Sequence, residues 1–292
     1  MTPRLCARAA WNGARRPRVA HRNWTWRRSS RREITSVQAM RGMRRILVVV
    51  WSIVASAALL PAGAAQAKGS VCSNVLGGAS VRGPGDAVAW RAEIETRTAV
   101  FDRLPRRSLR PSRWIAPSDA PWLLVLARPQ GAHGRCWVQV RLPWRPNDAA
   151  GWVNGNNVLL DKTRWRIEVS TPRRTLTLYR AGARVRTISV VVGKPSTPTP
   201  LGLFAIAWAI PWHPNDFLGS WVLELTGHSD VLQQFDGGDG TVGIHGRGGA
   251  SLLDPLGSAR SHGCIRMSND SIDWLVRTIG ADGLPGTPVQ IS

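Results

Sequence analysis

The sequence predicts a mostly β protein of two folded domains, with one short helix near its C-terminus. Short runs of aliphatic and β-branched residues alternate with Gly, Pro and Asn from about residue 71 onwards, which is typical of strands joined by turns. Helical periodicity stands out where Ile272, Leu275, Val276 and Ile279 are spaced i, i+3, i+4 and i+7. A chain of 292 residues with 43% hydrophobic and 20% charged residues has room for about two domains and is not disordered as a whole.

The net charge of +21 is unevenly distributed along the chain. Residues 1–39 contain ten Arg and one acidic residue, Glu33, so their net charge is +9. Residues 68–292 also carry a net charge of +9, which is compatible with polyanionic surroundings. Because the total charge overstates that of the folded part and no recognised binding motif occurs, we expect no nucleic acid as a partner.

Residues 40–67 have the pattern of a secretory signal peptide. A basic segment, Met40–Arg45, precedes 15 apolar residues, Ile46–Leu60, and a cleavage site, Ala65–Ala67. The sequence therefore predicts export to the periplasm or the cell wall. The alternative is an uncleaved N-terminal membrane anchor, because the apolar segment approaches the ~20 residues that span a bilayer. Residues 1–39 are then a basic extension, either untranslated or an unusually long first part of the signal.

Export places the cysteines in a setting that permits a disulfide. Cys6 lies in the basic extension, whereas Cys72 and Cys136 both lie in the first exported domain, so we predict that these two are bonded. Closing this ~64-residue loop stabilises a fold by about 4 kcal/mol in the chain-entropy account of disulfides. Cys264 is then left as an odd thiol, which calls for an explanation.

The first exported domain, residues 68–163, is predicted to be all β. Residues 122–126, 136–142 and 151–153 are typical of strands, and Pro143–Asp148 supplies a turn. This pattern resembles the small SH3-like β-barrels that accompany catalytic domains in exported cell-wall proteins. The alternative is an irregular β-rich spacer.

The second domain, residues 164–292, has more regular strand patterns. We expect strands at Trp165–Val169, Thr175–Leu178, Val185–Val192, Gly202–Ile206, Trp221–Leu225, Thr241–His245 and Val289–Ile291. The helix is expected to begin after a cap at Ser268 or Asn269 and to end at Gly280. Asp270 in its first turn suits the positive end of the helix dipole.

The odd thiol lies in a segment unlike an apolar core. Cys264 follows His262 and Gly263 and precedes Arg266 by two residues. A lone cysteine is more often a small buried hydrophobe, but two histidines and an arginine nearby are expected to lower the thiol pKa and favour the thiolate. We therefore interpret Cys264 as a nucleophile.

A cysteine that attacks an amide needs a base, a group that orients the base, and donors for the oxyanion. His245, 19 residues upstream at a strand end, is the predicted base, and the Gly246 carbonyl is predicted to accept its other ring N–H. The backbone N–H groups around Gly263 and Cys264 are predicted to form the oxyanion hole, because glycine lets a backbone approach a ligand closely.

Other residues of the same motif are assigned to substrate contact. Ser261 and His262 are expected to shape the site or contact the substrate. Arg266 is suited to bind a carboxylate with two hydrogen bonds, either that of the substrate or that of Asp270.

A zinc site made of His245, His262 and Cys264 is a further alternative. Against it, the sequence has no H-E-x-x-H or C-x-x-C spacing, and the Ser-His-Gly-Cys turn is too tight for two ligands of one metal. We therefore expect neither a metal nor a cofactor.

Several motifs together resemble the L,D-transpeptidase (YkuD) catalytic domain. They are Ile244–Gly246, Ser261–Met267 with Asn269 and Asp270, and the Thr-Pro-Thr loop Thr197–Gly202. The similarity covers roughly residues 164–292. Its mild departure is the additional Pro200–Leu201 before Gly202, which affects the edge of the cleft rather than the chemistry.

The resemblance implies a β-sandwich with a short helix after the catalytic motif, and an acyltransferase that organises the cell wall and cell shape. It implies that Cys264 attacks the third residue of a donor tetrapeptide stem and expels the terminal D-alanine. The thioester then passes to the side-chain amine of a neighbouring stem, which gives a 3→3 cross-link, with His245 as the proton shuttle. It also implies that carbapenem-type β-lactams acylate Cys264. We expect the protein to act as a monomer.

Other functions remain open at this point. With water as the acceptor, the same site would be an L,D-carboxypeptidase, and with a protein amine it would attach a protein to peptidoglycan. A non-catalytic cell-wall-binding protein is the alternative of another class.

Overall fold

The computed structural model describes Cys72 and residues 80–106, 109–235 and 237–292. The basic extension and the signal peptide predicted at 1–39 and 40–67 lie outside the described residues. Within the described part of the chain, no helix is long and apolar enough to cross a membrane.

The described residues between 80 and 163 contain eight short strands. They are β1 (Ala89–Ile94), β2 (Thr98–Val100), β3 (Arg113–Ile115), β4 (Trp122–Leu124), β5 (Gln130–Ala132), β6 (Arg135–Arg141), β7 (Ala150–Asn154) and β8 (Val158–Thr163). They pair in the orders β4-β1-β8, β5-β6-β7 and β2-β3. Single bridges connect these groups, from Val125 to Val140 and from Phe101 to Trp152.

This N-terminal part has its own hydrophobic core. Ile94, Ile115 and Leu123 are fully buried in it. A disulfide joins Cys72 to Cys136, the pair expected from the sequence, with 4.7 Å between the two Cα atoms. The part is all β, and its assignment as an SH3-like barrel stays a prediction.

The C-terminal part contains ten strands and one α-helix among the described residues. They are β9 (Trp165–Ser170), β10 (Thr175–Arg180), β11 (Ala183–Ser189), β12 (Val192–Gly193), β13 (Gly202–Pro211), β14 (Trp221–His228), β15 (Thr241–His245), β16 (Ala259–Ser261), β17 (Ile265–Arg266), α1 (Asn269–Ile279) and β18 (Pro288–Ile291). Eight of the strands form one sheet in the order β11-β10-β9-β18-β13-β14-β15-β17, and β12 pairs with β16.

The mostly β fold with one helix is confirmed, but the two layers of the predicted sandwich are joined into one curled sheet. The reason is the length of β13, which has 10 residues. Its first half, Gly202–Ala205, pairs with β18, and its second half pairs with β14. The register shifts between Ile206 and Trp208, where the partner strand changes. Both halves of the sheet pack on one hydrophobic core.

Helix α1 begins and ends where the sequence predicts. Ser268 is its N-cap, and the Ser268 hydroxyl accepts a hydrogen bond from the Ser271 N–H at 3.2 Å. Gly280 ends the helix with a φ of +89°, a conformation that favours glycine. Ile272 and Leu275 are fully buried in the core. The helix therefore fixes β17, which lies three residues before its first turn.

Arg91 of β1 connects the N-terminal and C-terminal parts. Its Nη1 atom donates to the carbonyl oxygens of Asp282, Gly283 and Pro285 at 3.2, 3.2 and 3.1 Å. Its Nη2 atom forms an ion pair with Asp161 at 2.8 Å. The described residues of both parts belong to one compact unit.

Candidate active site

Two neighbouring parallel strands bring the predicted nucleophile and base together. In the β15–β17 pair, His245 lies opposite Arg266. Cys264 directly precedes β17, and alternate residues of a strand point to the same face, so Cys264 and Arg266 share the face on which His245 lies. The backbone of Gly243, two residues before His245, lies close enough to the Cys264 thiol to lower its pKa. The thiol is thus placed against the strand that ends in His245.

The imidazole of His245 is oriented by its own neighbour in the chain. His245 is 1% exposed, and its Nδ1 atom donates to the Gly246 carbonyl at 2.8 Å. The Nε2 atom is buried and has no hydrogen-bond partner among the described residues. A hydrogen bond that fixes the proton on Nδ1 leaves Nε2 as the acceptor. The ring is therefore ready to take a proton at Nε2.

Both members of the pair are neutral in this environment. Burial, assisted by the positive charge of Arg266, lowers the pKa of His245 to about 3, although the carbonyls of Gly246 and Leu218 oppose this. Burial raises the pKa of the Cys264 thiol and outweighs the effect of the Gly243 backbone and the attraction of Arg266. The sequence-based expectation of a resting thiolate is therefore wrong, because it counted the neighbouring charges and not the loss of water.

The Ser-His-Gly-Cys turn is braced from inside by Ser261. This serine is fully buried, its hydroxyl donates to the Cys264 carbonyl at 2.6 Å, and it accepts from the Gly263 N–H at 3.1 Å. Ser261 thus shapes the turn rather than contacting substrate. The Gly263 N–H is occupied and does not serve as an oxyanion donor, which corrects the sequence-based expectation. Of the two predicted donors, the Cys264 N–H is the one that remains.

Two threonines of the upstream loop hold the same turn. The Thr199 hydroxyl donates to the Gly263 carbonyl at 2.8 Å and accepts from the Gly193 N–H at 2.9 Å. The Thr197 hydroxyl donates to the Ser261 carbonyl at 3.3 Å. The sequence analysis identified this Thr-Pro-Thr loop by resemblance but assigned it no role. These hydrogen bonds hold the Thr-Pro-Thr loop against the turn that carries the thiol.

Replacing Thr199 by valine tests this brace. Thr199 is 3% exposed, so valine leaves a buried N–H and a buried carbonyl without partners, and we expect the free energy of unfolding to fall by about 1–3 kcal/mol. We also expect slower acylation of Cys264. Urea unfolding and the rate of adduct formation measure the two effects. Thr177→Val is the matched control, since its hydroxyl meets the Thr187 hydroxyl at an exposed site; an equal effect in both variants would contradict the brace.

Arg266 has a different partner from the one predicted. It is 3% exposed and forms an ion pair with Asp254 at 2.7 Å, and its guanidinium lies 4.7 Å from the centre of the Phe217 ring. The predicted partner, Asp270, is exposed in the first turn of α1. Arg266 therefore acts on the site through its charge. Because its side chain is buried and paired with Asp254, the expected contact with a substrate carboxylate finds no support in this geometry.

Asn269 joins the segments that surround His245, a role the sequence analysis missed although it quoted the residue. Its Oδ1 atom accepts from the backbone N–H groups of Ser220 and Arg247 at 3.2 and 3.0 Å, and its Nδ2 atom donates to the Pro214 carbonyl at 2.9 Å. A Cβ atom at Gly246 would lie 2.2 Å from this Oδ1, so the position requires glycine. The presence of Asn269 in the motif was the sequence signal that could have revealed this role.

His262 lies at the exposed rim of the site. Its ring stacks on Phe235, with 5.2 Å between the ring centroids and 28° between the planes. Its Nε2 atom is 3.4 Å from the Lys194 Nζ. Burial and the charges of Lys194 and Arg266 lower the pKa of His262. Nothing in the sequence pointed to Phe235.

Across the described residues, no group of three or more His, Cys, Asp or Glu side chains is arranged to hold a metal ion. His245 uses Nδ1 for the Gly246 carbonyl, and the exposed His262 is engaged at the rim. The arrangement is that of a neutral thiol beside a neutral base, which suits acyl transfer through a thioester.

Comparisons with known proteins show what the C-terminal part resembles. Residues 164–291 match the family model YkuD, the L,D-transpeptidase catalytic domain. A Bacillus licheniformis protein named as an L,D-transpeptidase YkuD is 37% identical over 112 residues, which are 38% of this chain and 58% of that protein. This chain thus spans a little over half the length of that relative.

Solved structures of L,D-transpeptidases also align with the chain. One from Mycobacterium tuberculosis H37Rv is 15% identical, with 73% of this chain and 95% of that chain covered and a TM-score of 0.36. The catalytic domain of the E. faecium L,D-transpeptidase acylated by ertapenem is 23% identical, with 44% and 96% covered and a TM-score of 0.31. Residues 164–291 are thus similar to the L,D-transpeptidase catalytic domain.

Proposed function

We propose that the protein is an L,D-transpeptidase that cross-links peptidoglycan stem peptides through a thioester on Cys264. The observation that carries the proposal is the state of His245: its Nδ1 is held by the Gly246 carbonyl, and its Nε2 is unpartnered on the strand against which the Cys264 thiol lies. The match of residues 164–291 to the catalytic-domain family supports the same activity.

In the first half of the reaction, His245 Nε2 takes the proton from the Cys264 thiol as sulfur bonds to the carbonyl carbon of the third stem residue. The Cys264 N–H stabilises the oxyanion. The bond from this carbon to the nitrogen of the terminal D-alanine then breaks, and His245 returns the proton to the leaving amine. The products are free D-alanine and a thioester on Cys264.

In the second half, the neutral side-chain amine of a diamino residue on a neighbouring stem attacks the thioester. His245 takes a proton from this amine and passes it to the Cys264 sulfur as the carbon–sulfur bond breaks. The product is a 3→3 cross-link, and the thiol is restored. One amide is exchanged for another, so the reaction needs no nucleotide, which suits an exported enzyme.

The acceptor distinguishes this function from close alternatives. With water as the acceptor, the same thioester gives a tripeptide and the protein is an L,D-carboxypeptidase. With a protein amine, it attaches that protein to the wall. A protein that only binds the wall would use neither Cys264 nor His245, and the internal bracing of the Ser-His-Gly-Cys turn favours catalysis over this alternative.

Carbapenems are proposed to acylate the same sulfur. A strained β-lactam carbonyl is an acyl donor for a cysteine that loses its proton to an adjacent base. The E. faecium domain is described as acylated by ertapenem. Among the described residues, Cys264 is the free cysteine, so one adduct per chain is expected.

Export and wall localisation belong to the same proposal. The signal pattern at residues 40–67 and the disulfide between Cys72 and Cys136 both favour an exported protein. The N-terminal part, as an SH3-like domain, would hold the catalytic domain near the wall polymer and so support its role in cell-wall organisation and cell shape.

Replacing Cys264 by alanine tests the function directly. We expect wild-type protein to gain the mass of one carbapenem and to convert a disaccharide-tetrapeptide into a 3→3 dimer with release of D-alanine, because both reactions need the sulfur. Cys264→Ala should do neither, as measured by intact mass and by chromatography with mass spectrometry. His213→Gln, at an exposed loop position, is the control that should keep both activities.

Three results would change the conclusion. Dimer formed by Cys264→Ala would disprove the role of the thiol. Tripeptide without dimer from wild-type protein would assign an L,D-carboxypeptidase. Wall binding with neither adduct nor product would leave the non-catalytic binding protein.

A further inference from the structure

A turn of the N-terminal part contacts a loop of the C-terminal part that borders the candidate active site. Between β6 and β7, the Nη1 atom of Arg145 donates to the Ser229 carbonyl at 2.9 Å. Its Nη2 atom donates to the carbonyls of Leu232 and Asp239 at 3.1 and 3.0 Å. One planar guanidinium thus ties three points of the described residues 229–235 and 237–240, called here the 229–240 loop.

Asn147, two residues further on, holds the base of this loop. Its Nδ2 atom donates to the His228 carbonyl, and its Oδ1 atom accepts from the His228 N–H, both at 2.7 Å. Nδ2 also donates to the Asp230 carboxylate at 2.7 Å. The amide therefore pairs with both backbone groups of His228 as a neighbouring strand would, at the end of β14.

The 229–240 loop is closed at its neck. The Ser229 N–H donates to the Gly240 carbonyl at 2.8 Å, and the Ser229 hydroxyl accepts from the Leu232 N–H at 3.0 Å. Gly240 has a φ of +77°, and a Cβ atom there would lie 2.1 Å from the Leu232 carbonyl oxygen, so the neck requires glycine. The closed neck holds the loop together as a unit, and Arg145 and Asn147 tie this unit to the N-terminal part.

The loop reaches the site through one aromatic contact. Phe235 stacks on the ring of His262 at a centroid distance of 5.2 Å. His262 is two residues from the nucleophile Cys264, and its Nε2 atom lies 3.4 Å from the Lys194 Nζ. The contacts that Arg145 and Asn147 make with the 229–240 loop are thus connected, through Phe235, to the rim of the thiol site.

We propose that Arg145 and Asn147 are positioning residues for stem-peptide transfer. They hold the 229–240 loop so that Phe235 keeps the His262 ring beside Cys264, and the loop forms part of the surface that a stem peptide contacts. The inference rests on the proposed function for the identity of the substrate. Neither residue touches the reacting atoms, and each acts through the loop.

Steady-state kinetics of Arg145→Ala test the effect on substrate binding. We expect the KM for the tetrapeptide stem to rise about tenfold, with kcat changed less than about twofold, because a displaced loop removes binding contacts and not the chemical step. Alkylation of Cys264 by iodoacetamide needs the thiol and its base but no contact with a stem peptide, so its rate should not change. Arg128→Ala, an exposed arginine of the same part, is the control and should leave all three values unchanged.

A second measurement reads the contact itself. In protein with ¹³C-labelled histidine, the stacked Phe235 ring displaces the C–H signals of His262, and Phe235→Leu identifies these signals by moving them. We expect Arg145→Ala to move them towards their positions in Phe235→Leu, while Arg128→Ala leaves them in place. Arg145→Lys keeps the charge but lacks the planar fork, so we expect an intermediate KM and intermediate signals.

The outcomes separate this inference from the proposed function. A folded Arg145→Ala with unchanged KM, or with a raised KM and unmoved His262 signals, overturns the positioning role. If Arg145→Ala does not fold, Arg145→Lys and Asn147→Ala give the same decision. If wild-type protein transfers no acyl group, the proposed function fails, and the His262 signals alone decide whether Arg145 sets the position of Phe235.

Discussion

Replacing His245 by alanine is expected to slow the acylation of Cys264 by about 10²–10⁴-fold at pH 7. The physical reason is that burial raises the pKa of the Cys264 thiol, so the resting sulfur is protonated and needs a base during attack. In the proposed mechanism, the unpartnered Nε2 atom of His245 is that base. The rate of carbapenem adduct formation, followed by intact mass, measures the loss.

The pH dependence distinguishes this neutral pair from a preformed thiolate–imidazolium pair. Because the pKa of His245 is about 3, we expect the wild-type acylation rate to be flat from about pH 5 to pH 8 and to fall only near the low pKa. In His245→Ala, only the thiolate reacts, so its rate should rise steadily with pH. If the wild-type acylation rate instead fell as pH dropped through 6–7, the resting site would contain an imidazolium, which would contradict the neutral pair.

Protein stability gives an independent measurement of the same pKa. His245 binds its proton near pH 3 in the folded state, against 6.5 for an unperturbed histidine. Between these values the unfolded chain binds more protons, so the contribution of His245 to stability is complete above pH 6.5 and is lost as pH falls, by about 1.4 kcal/mol per pH unit. His245→Gln should lack this slope, whereas the exposed control His213→Gln should keep it.

The sequence predicted best those elements that local interactions determine. The bounds of α1 follow from the cap at Ser268 and the glycine at Gly280, both of which act within one helical turn. The strand Thr241–His245 was predicted with its exact bounds, since its alternation ends at a polar residue and a glycine. By contrast, the single strand expected at Val185–Val192 is two, because distant partners divide it: Val191 pairs with Arg266.

The rest of the site depends on contacts between residues that are distant in the sequence. The motif predicts His245 as the base and Cys264 as the nucleophile, and the structure places both at neighbouring strands. The thiol pKa was expected to move in the wrong direction, because burial is not visible in a motif. The partner of Arg266 is Asp254, in an irregular segment. Phe235 reaches His262 through a loop whose anchors lie in the other part of the chain. Only tertiary structure brings these groups together.

Replacing Asp254 by alanine is expected to reduce the free energy of unfolding by about 3–5 kcal/mol. Arg266 is 3% exposed, its Nε atom has no partner among the described residues, and Asp254 is the carboxylate of its ion pair. Removing that carboxylate leaves a buried positive charge without compensation. Urea unfolding measures the loss. Asp86→Ala is the control: its side chain is 89% exposed in the ion pair with Arg166, and we expect an effect below about 1 kcal/mol.

The double variant Arg266→Met with Asp254→Leu separates charge from fold. With neither charge buried, we expect it to regain most of the stability lost in Asp254→Ala. The positive charge of Arg266 lowers the pKa of both His245 and Cys264, so the double variant should raise both values. The fall of the acylation rate at low pH would then begin at a higher pH, in a protein that is still folded. If stability were recovered but the pH dependence of acylation did not change, Arg266 would act on the site through packing and not through its charge.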